Sequence, residues 1–241
     1  MQLYRRTVPL RLRAAALAAD DPAELARFWA TLLGRQVALD AHGVLVPGDT
    51  TQLSLRFVLR RAQRTGPDLM HVHLTSTSLE HQRATVATAL DLGARHLDVG
   101  QRPEDGHVVL ADPSGNSFCV IEPGNAYLAG CGDLGELACD GSREVGVFWS
   151  AALDWPLVWD QDEETAVQSP QGGTKLAWGG PLVRPPDPME PQHLELVAED
   201  GDLAAEVDRL VALGATRRRP DSDGVVVLAD PDGVELRICS D

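Results

Sequence analysis

Apolar positions along this chain change period in a fixed order. Leu10–Ala19 reads as a strand. Asp20-Asp21-Pro22 then supplies a carboxylate cap and a first-turn proline, and Leu25, Phe28, Trp29, Leu32 and Leu33 fall at the spacing of a one-faced helix over 22–33. Gly34 ends that helix, and short strands follow near 36–40, 43–46 and 52–59. The same order returns from Met70. A strand over 70–76 leads to Ser78 and a helix over 79–92, then to strands near 95–99, 106–111 and 117–122.

Beyond a turn-rich stretch, PGNAYLAGCGD at 123–133, the scheme is repeated twice more. Strand 134–139 and helix 142–153 precede strands near 156–159, 164–168 and 174–178. A proline-rich connector spans 181–191. Strand 192–198 and helix 202–213 precede strands near 216–218, 224–229 and 234–239. The pattern is strand, helix, three strands, four times over.

Sequence echoes support a duplication. RFWATLLG is answered by VFWSAALD, HVHL by HLEL, LDLGA by VALGA, and VVLADPSGNSFCV by VVLADPDGVELRI. Phe28 and Phe148, His71 and His193, and Asp112 and Asp230 stand 120, 122 and 118 residues apart. Three echoes in one order at nearly one offset divide the chain into residues 1–122, a linker 123–133, and residues 134–241.

This ordered set resembles the vicinal oxygen chelate superfamily, the glyoxalase and bleomycin-resistance fold, and in particular its glyoxalase-like branch. The resemblance implies an α+β chain of four βαβββ units with curved mixed sheets. It also implies that two units pair around one open cavity, so each half is expected to form its own cup. Metal-dependent members take one ligand from the first strand and one from the last strand of each paired unit. Counting seven residues back from the turn after each first strand reaches Ala14, His71, Leu134 and His193. Counting seven on from the Asp of each DPxG turn reaches Cys119 and Arg237, and the matching region of the first unit holds Gln52. Each half thus keeps one histidine of a four-ligand pattern, and no metal or other cofactor is expected.

The remaining candidates come from strand parity. His71 and His73 share one strand face, as do His193 and Glu195, and either pair suits general acid–base work as well as hydrogen bonding inside a cup. Arg237 either binds an anionic group or pairs with Glu195. Trp29 and Trp149 lie on apolar helix faces and belong to the core. Trp155, Trp159 and Trp178 serve either as an aromatic ligand wall or as sheet packing, and WDQDEE at 159–164 reads as an acidic, aromatic mouth or a charged hairpin.

Composition narrows the function. The formal charge of −15 over 241 residues argues against nucleic acid. No apolar run approaches a membrane span, and Arg11 and Arg13 interrupt the N-terminal apolar stretch that would otherwise resemble a signal peptide. Four cysteines without CxxC spacing suit a reduced, cytoplasmic chain. No P-loop, GxSxG or HExxH occurs. The expectation is a metal-free protein that binds a small organic molecule, a natural product or drug, as a monomeric pseudo-dimer or a homodimer. The alternative is a lyase or isomerase acting on a small carbonyl or natural-product substrate through His71 or His193. A metal-dependent glyoxalase or dioxygenase lacks its ligands.

Overall fold

A computed structural model of the chain describes residues 10–60, 66–102, 104–180, 192–198, 203–218 and 225–240. The proline-rich connector 181–191 and the loop 199–202 lie outside the described residues.

Unit 1 is β1 (Arg11–Ala19), α1 (Pro22–Leu32), β2 (Ala38–Asp40), β3 (Gly43–Val46) and β4 (Leu55–Leu59). Unit 2 is β5 (Met70–Leu74), α2 (Leu79–Asp91), β6 (Arg95–His96), β7 (Val108–Ala111) and β8 (Ser117–Val120). Unit 3 is β9 (Leu134–Asp140), α3 (Arg143–Leu153), β10 (Leu157–Gln161), β11 (Glu164–Gln168) and β12 (Lys175–Gly179). Unit 4 is β13 (His193–Ala198), α4 (Leu203–Leu213), β14 (Thr216–Arg217), β15 (Val226–Ala229) and β16 (Glu235–Ser240). All four units follow the βαβββ scheme, with the first and last strands parallel neighbours.

Local chemistry explains the boundaries. Asp21 caps α1 by accepting from Ala23 N and Glu24 N, and Ser78 caps α2 by accepting from His81 N. Each DPxG turn is closed by its own aspartate. Asp112 Oδ1 accepts from Ser114 N and Asn116 N, and Asp230 Oδ1 from Asp232 N and Val234 N. Asp112 also accepts from Trp29 Nε1 at 3.1 Å, while Phe28, Trp29 and Phe118 meet edge to face. Within a half, therefore, the two units share apolar packing through the helix layer.

The sheets, however, do not respect the halves. One eight-stranded sheet runs β14-β15-β16-β13-β1-β4-β3-β2, joining unit 4 to unit 1, and the other runs β10-β11-β12-β9-β5-β8-β7-β6, joining unit 3 to unit 2. This corrects the expectation of one cup per half. The cause is the linker. The chain leaves β8 on one side of β5, crosses its end, and enters β9 on the other side. Thr75 fastens the crossing, its N–H donating to Asp133 O and its hydroxyl to Gly132 O. Unit 3 is thereby laid against unit 2, and β13 of unit 4 pairs antiparallel with β1.

Candidate functional site

The cup side of the second sheet is set by strand parity. On β5, Met70, Val72 and Leu74 are buried toward the helices, while His71 and His73 point the other way and line the cavity. His73 has a register neighbour on each side, Glu136 on β9 and Cys119 on β8. His71 faces Ala138 on β9, and Ala138 in turn neighbours Ala177 on β12. Because these two positions hold only methyl groups, space remains above them. A cavity of about 410 Å³ lies there, within the usual range for small-molecule sites. His71, His73, Glu136, Tyr127, Trp159 and Glu164 are among its walls.

A chain of hydrogen bonds organises the floor. Tyr127 donates its hydroxyl to Glu136 Oε1 at 2.5 Å, and Glu136 Oε2 lies 2.7 Å from His73 Nδ1. Lys175 Nζ donates to the backbone oxygen of Tyr127 and stands over its ring. Tyr127 meets Trp159 edge to face at 5.7 Å. The linker therefore supplies one wall of the cup, which a reading of 123–133 as a connector did not foresee.

Charge is divided sharply between the two histidines. Burial, reinforced by the neighbouring His73, pulls His71 down to about 4, so it is neutral at neutral pH. Burial also opposes the charged form of His73, but the attraction of Cys119 and Glu136 outweighs it and raises His73 to about 9. Glu136 is lowered: burial acts against its charge, and the bond from His73 wins.

On the corresponding face of the first sheet a charged side chain stands where, among the described residues, the other sheet leaves its cavity. His193 neighbours Ala16, and Ala16 neighbours Arg56 on β4, in the places that His71, Ala138 and Ala177 take in the other cup. Arg56 is 1% exposed and bonds Glu195 Oε2 through Nε at 2.6 Å and both Asp40 oxygens through its terminal nitrogens. Arg13 adds a second cation to Asp40 at 2.9 Å. His193 is fully buried, its Nε2 3.6 Å from Glu195 Oε1. The expected Arg237–Glu195 pair is corrected: Glu195 is held by Arg56, and Arg237 Nε bonds Glu235 at 2.8 Å.

The other expected site residues scatter. Trp178 is 3% exposed and stacks on Trp149 at 6.0 Å, and it also lines the open cup. Trp159 lines the open cup beside His71 and His73. Trp155 lines a different hollow with Arg11 and Gln171. Gln52 fastens the linker, donating to Cys131 O at 2.7 Å and accepting from Leu134 N at 3.0 Å. Cys119 lies next to the cup histidines; the ligand atoms of His71, His73 and Cys119 are all within 4.8 Å of one another.

Sequence reasoning missed Glu136 because of a bulge. Counting from Gly141 reached Leu134, but the helix cap is Ser142, and Gly135 is an extra residue between the pairs His73–Glu136 and Leu74–Leu134. A Cβ at Gly135 would come within 2.6 Å of Thr75 Cγ2, so the bulge needs glycine. The available signal was a lone carboxylate in the apolar run LGELAC, and Arg56 in LRFVL carried the same kind of signal.

With this geometry in place, the relationship to known proteins becomes informative. A glyoxalase-like domain model matches residues 14–121 and again 136–239. The chain belongs to the glyoxalase-like domain family, within the vicinal oxygen chelate superfamily. No curated protein matches it significantly. Glyoxalase I from Zea mays superimposes with a TM-score of 0.65 at 13% identity, over 95% of this chain and 92% of that one. A putative dioxygenase from Bacillus subtilis subsp. subtilis str. 168 gives a TM-score of 0.58 at 12% identity, over 97% and 86%. At these identities the likeness is one of fold.

The superfamily's metal can be tested against the donors present. In this glyoxalase-like chain the first cup holds the Arg56 guanidinium where an ion would need ligands. In the second, β9 and β12 set Ala138 and Ala177 beside His71, and Glu136 is engaged by His73 and Tyr127 with Lys175 as its strand neighbour. The arrangement of one donor from each of four strands does not fit either cup, and the three donors that converge in the second cup all come from unit 2.

Proposed function

We propose that the protein binds a small organic molecule, without a metal ion, in the cup built on β5, β8, β9 and β12, and that the other cup has become a structural core. The contrast between Ala177 and Arg56 carries this reading, since related positions leave a cavity in one sheet and fill it with a guanidinium in the other. Trp159 and Glu164 line the cavity with Asp140, so the wall favours a guest with a cationic group beside a flat apolar one. The four free thiols suit a reducing, cytoplasmic setting for this role. No helix among the described residues is long and apolar enough to cross a membrane.

A second reading is supported by the separation of the two histidines. A neutral His71 beside a protonated His73 gives one base and one acid on a single strand face, the division that proton-transferring sites use. This favours a lyase or isomerase acting on a carbonyl guest.

A thermal-shift screen of small amines and natural products tests the binding reading, because a ligand that binds only the folded state raises its apparent stability. Hits should lose affinity in Trp159→Ala and His71→Ala. Unchanged affinity in both would refute the site. Turnover of a hit, lost in His71→Ala, would favour the second reading.

A further inference from the structure

We propose that Cys119 is a nucleophile activated by His73 and Glu136, and that it captures soft electrophilic guests such as α,β-unsaturated carbonyl compounds. This rests on the cup between units 2 and 3 being the ligand site, and adds a covalent step to it. The observation is the position of His73 between its two register neighbours. Glu136 approaches from β9 and takes Nδ1 at 2.7 Å, which leaves Nε2 as the free nitrogen. Cys119 approaches from β8, and its sulfur lies within 4.8 Å of the ligand nitrogens of His73 and His71. A thiol beside an imidazole that is oriented by a third group is the general arrangement of an activated nucleophile, and such contacts are often loose before a substrate binds.

The environment supports the arrangement. The cysteine is 7% exposed and packs with Val109 and Ile121, behind the two imidazoles that line the cavity, so a guest reaches its sulfur only past them. Tyr127 holds the second oxygen of Glu136, so the carboxylate is fixed from both sides. His73 is raised to about 9, so an imidazolium is present at neutral pH to stabilise a thiolate. Burial instead pushes the Cys131, Cys139 and Cys239 thiols up.

The step balances without a further reactant. In the resting pair the Cys119 proton is already held by His73, which is the imidazolium beside the thiolate. The sulfur then adds to the β-carbon of the guest, forming the S–C bond as the C=C π bond opens, and the electron pair moves through the enolate. The proton returns from His73 to the α-carbon. His71, neutral beside both groups, supplies an N–H for the carbonyl oxygen. Nothing is oxidised or reduced.

The test is alkylation of the native, chelator-treated protein by iodoacetamide and by N-ethylmaleimide between pH 5.5 and 9, with the modified cysteine located by peptide mapping. Cys119 should react first. Its rate at pH 6 should stay within about threefold of that at pH 8, whereas an ordinary thiol of pKa ~8.5 loses most of its reactivity over that span. Glu136→Gln should cut the pH 6 rate at least tenfold, and if that variant does not fold, His73→Gln serves the same comparison. Thiolate absorbance near 240 nm at pH 6, present in wild type and absent in Cys119→Ser, reads the same state without disturbing the histidine. Cys119→Ser should still bind non-electrophilic hits reversibly, which separates this proposal from the binding reading. The proposal is overturned if Cys119 stays unmodified in the folded protein, or titrates as an ordinary thiol whatever stands at 136. It is also overturned if protein not treated with chelator holds one divalent ion per chain that blocks the cysteine.

Discussion

His73 Nδ1 lies 2.7 Å from Glu136 Oε2, although the two residues are 63 positions apart in the chain. The contact crosses the β5–β9 seam, so it ties the two halves of the duplication together at the floor of the open cup. It also sets a pH dependence. His73 is raised to about 9 in the fold, against ~6.5 in an unfolded chain. A group whose folded value is raised adds stability in full below its unfolded value and loses it as pH rises through the folded one. Urea unfolding should therefore show stability declining between about pH 6.5 and 9, and Glu136→Gln should be less stable at pH 6 with a flatter decline. An identical slope in the variant would show that the pair is not the source.

Ala177→Arg should close the open cup. The side chain faces the cavity at the place related to that of Arg56 in the other sheet. Ligands found by thermal shift should lose at least about tenfold in affinity, or ~1.4 kcal/mol, while the far-ultraviolet circular dichroism is unchanged. Retained affinity would mean that guests do not sit against β12.

Arg56→Ala should be among the most damaging single changes. It leaves Glu195, 4% exposed, and Asp40 without their main cation, and breaking one side of a buried pair costs about 3–5 kcal/mol. Replacing both partners by apolar residues, Arg56→Met with Glu195→Leu, should recover much of that in urea unfolding. Equal loss in the single and double variants would contradict a purely structural role for this cup.

Gly146→Ala tests the packing of α3 on its sheet. Gly146 is buried on α3, and an added Cβ would overlap Thr165 Oγ1 and Cβ on β11. Alanine usually favours a helix over glycine, yet here the overlap should win and destabilise by about 1–3 kcal/mol. A stabilised variant in thermal unfolding would show that the helix can lift without cost.

The element order was legible because each unit repeats strong local signals. The helix of Leu25, Phe28 and Trp29 ends within a residue of its expected limit, and β3 and β11 fall where their apolar runs stand. The pairing of units was not legible, because strand parity shows which face is buried but not which neighbour lies alongside. That choice is made by the crossing at Thr75 and Gly132, where the linker passes the end of β5. That His71 and His73 share one strand face was legible from their spacing on β5, whereas Cys119, expected to face the same cup, lies beside them on β8 but is not among the cavity's walls. Glu136 was hidden by the one-residue bulge at Gly135, and Tyr127 by its place in a glycine-rich connector. Trp178 was ambiguous at two-residue spacing, and it does both things: it stacks on Trp149 of α3 and also lines the open cup.

A crystal structure of the protein with a ligand chosen by thermal shift tests the central claim most directly. The expected result is one guest per chain, over His71, His73 and Glu136 and against Trp159, with Arg56 and Glu195 still paired in the other sheet. A guest seated on the His193–Glu195 face, or outside both sheets, would contradict the account.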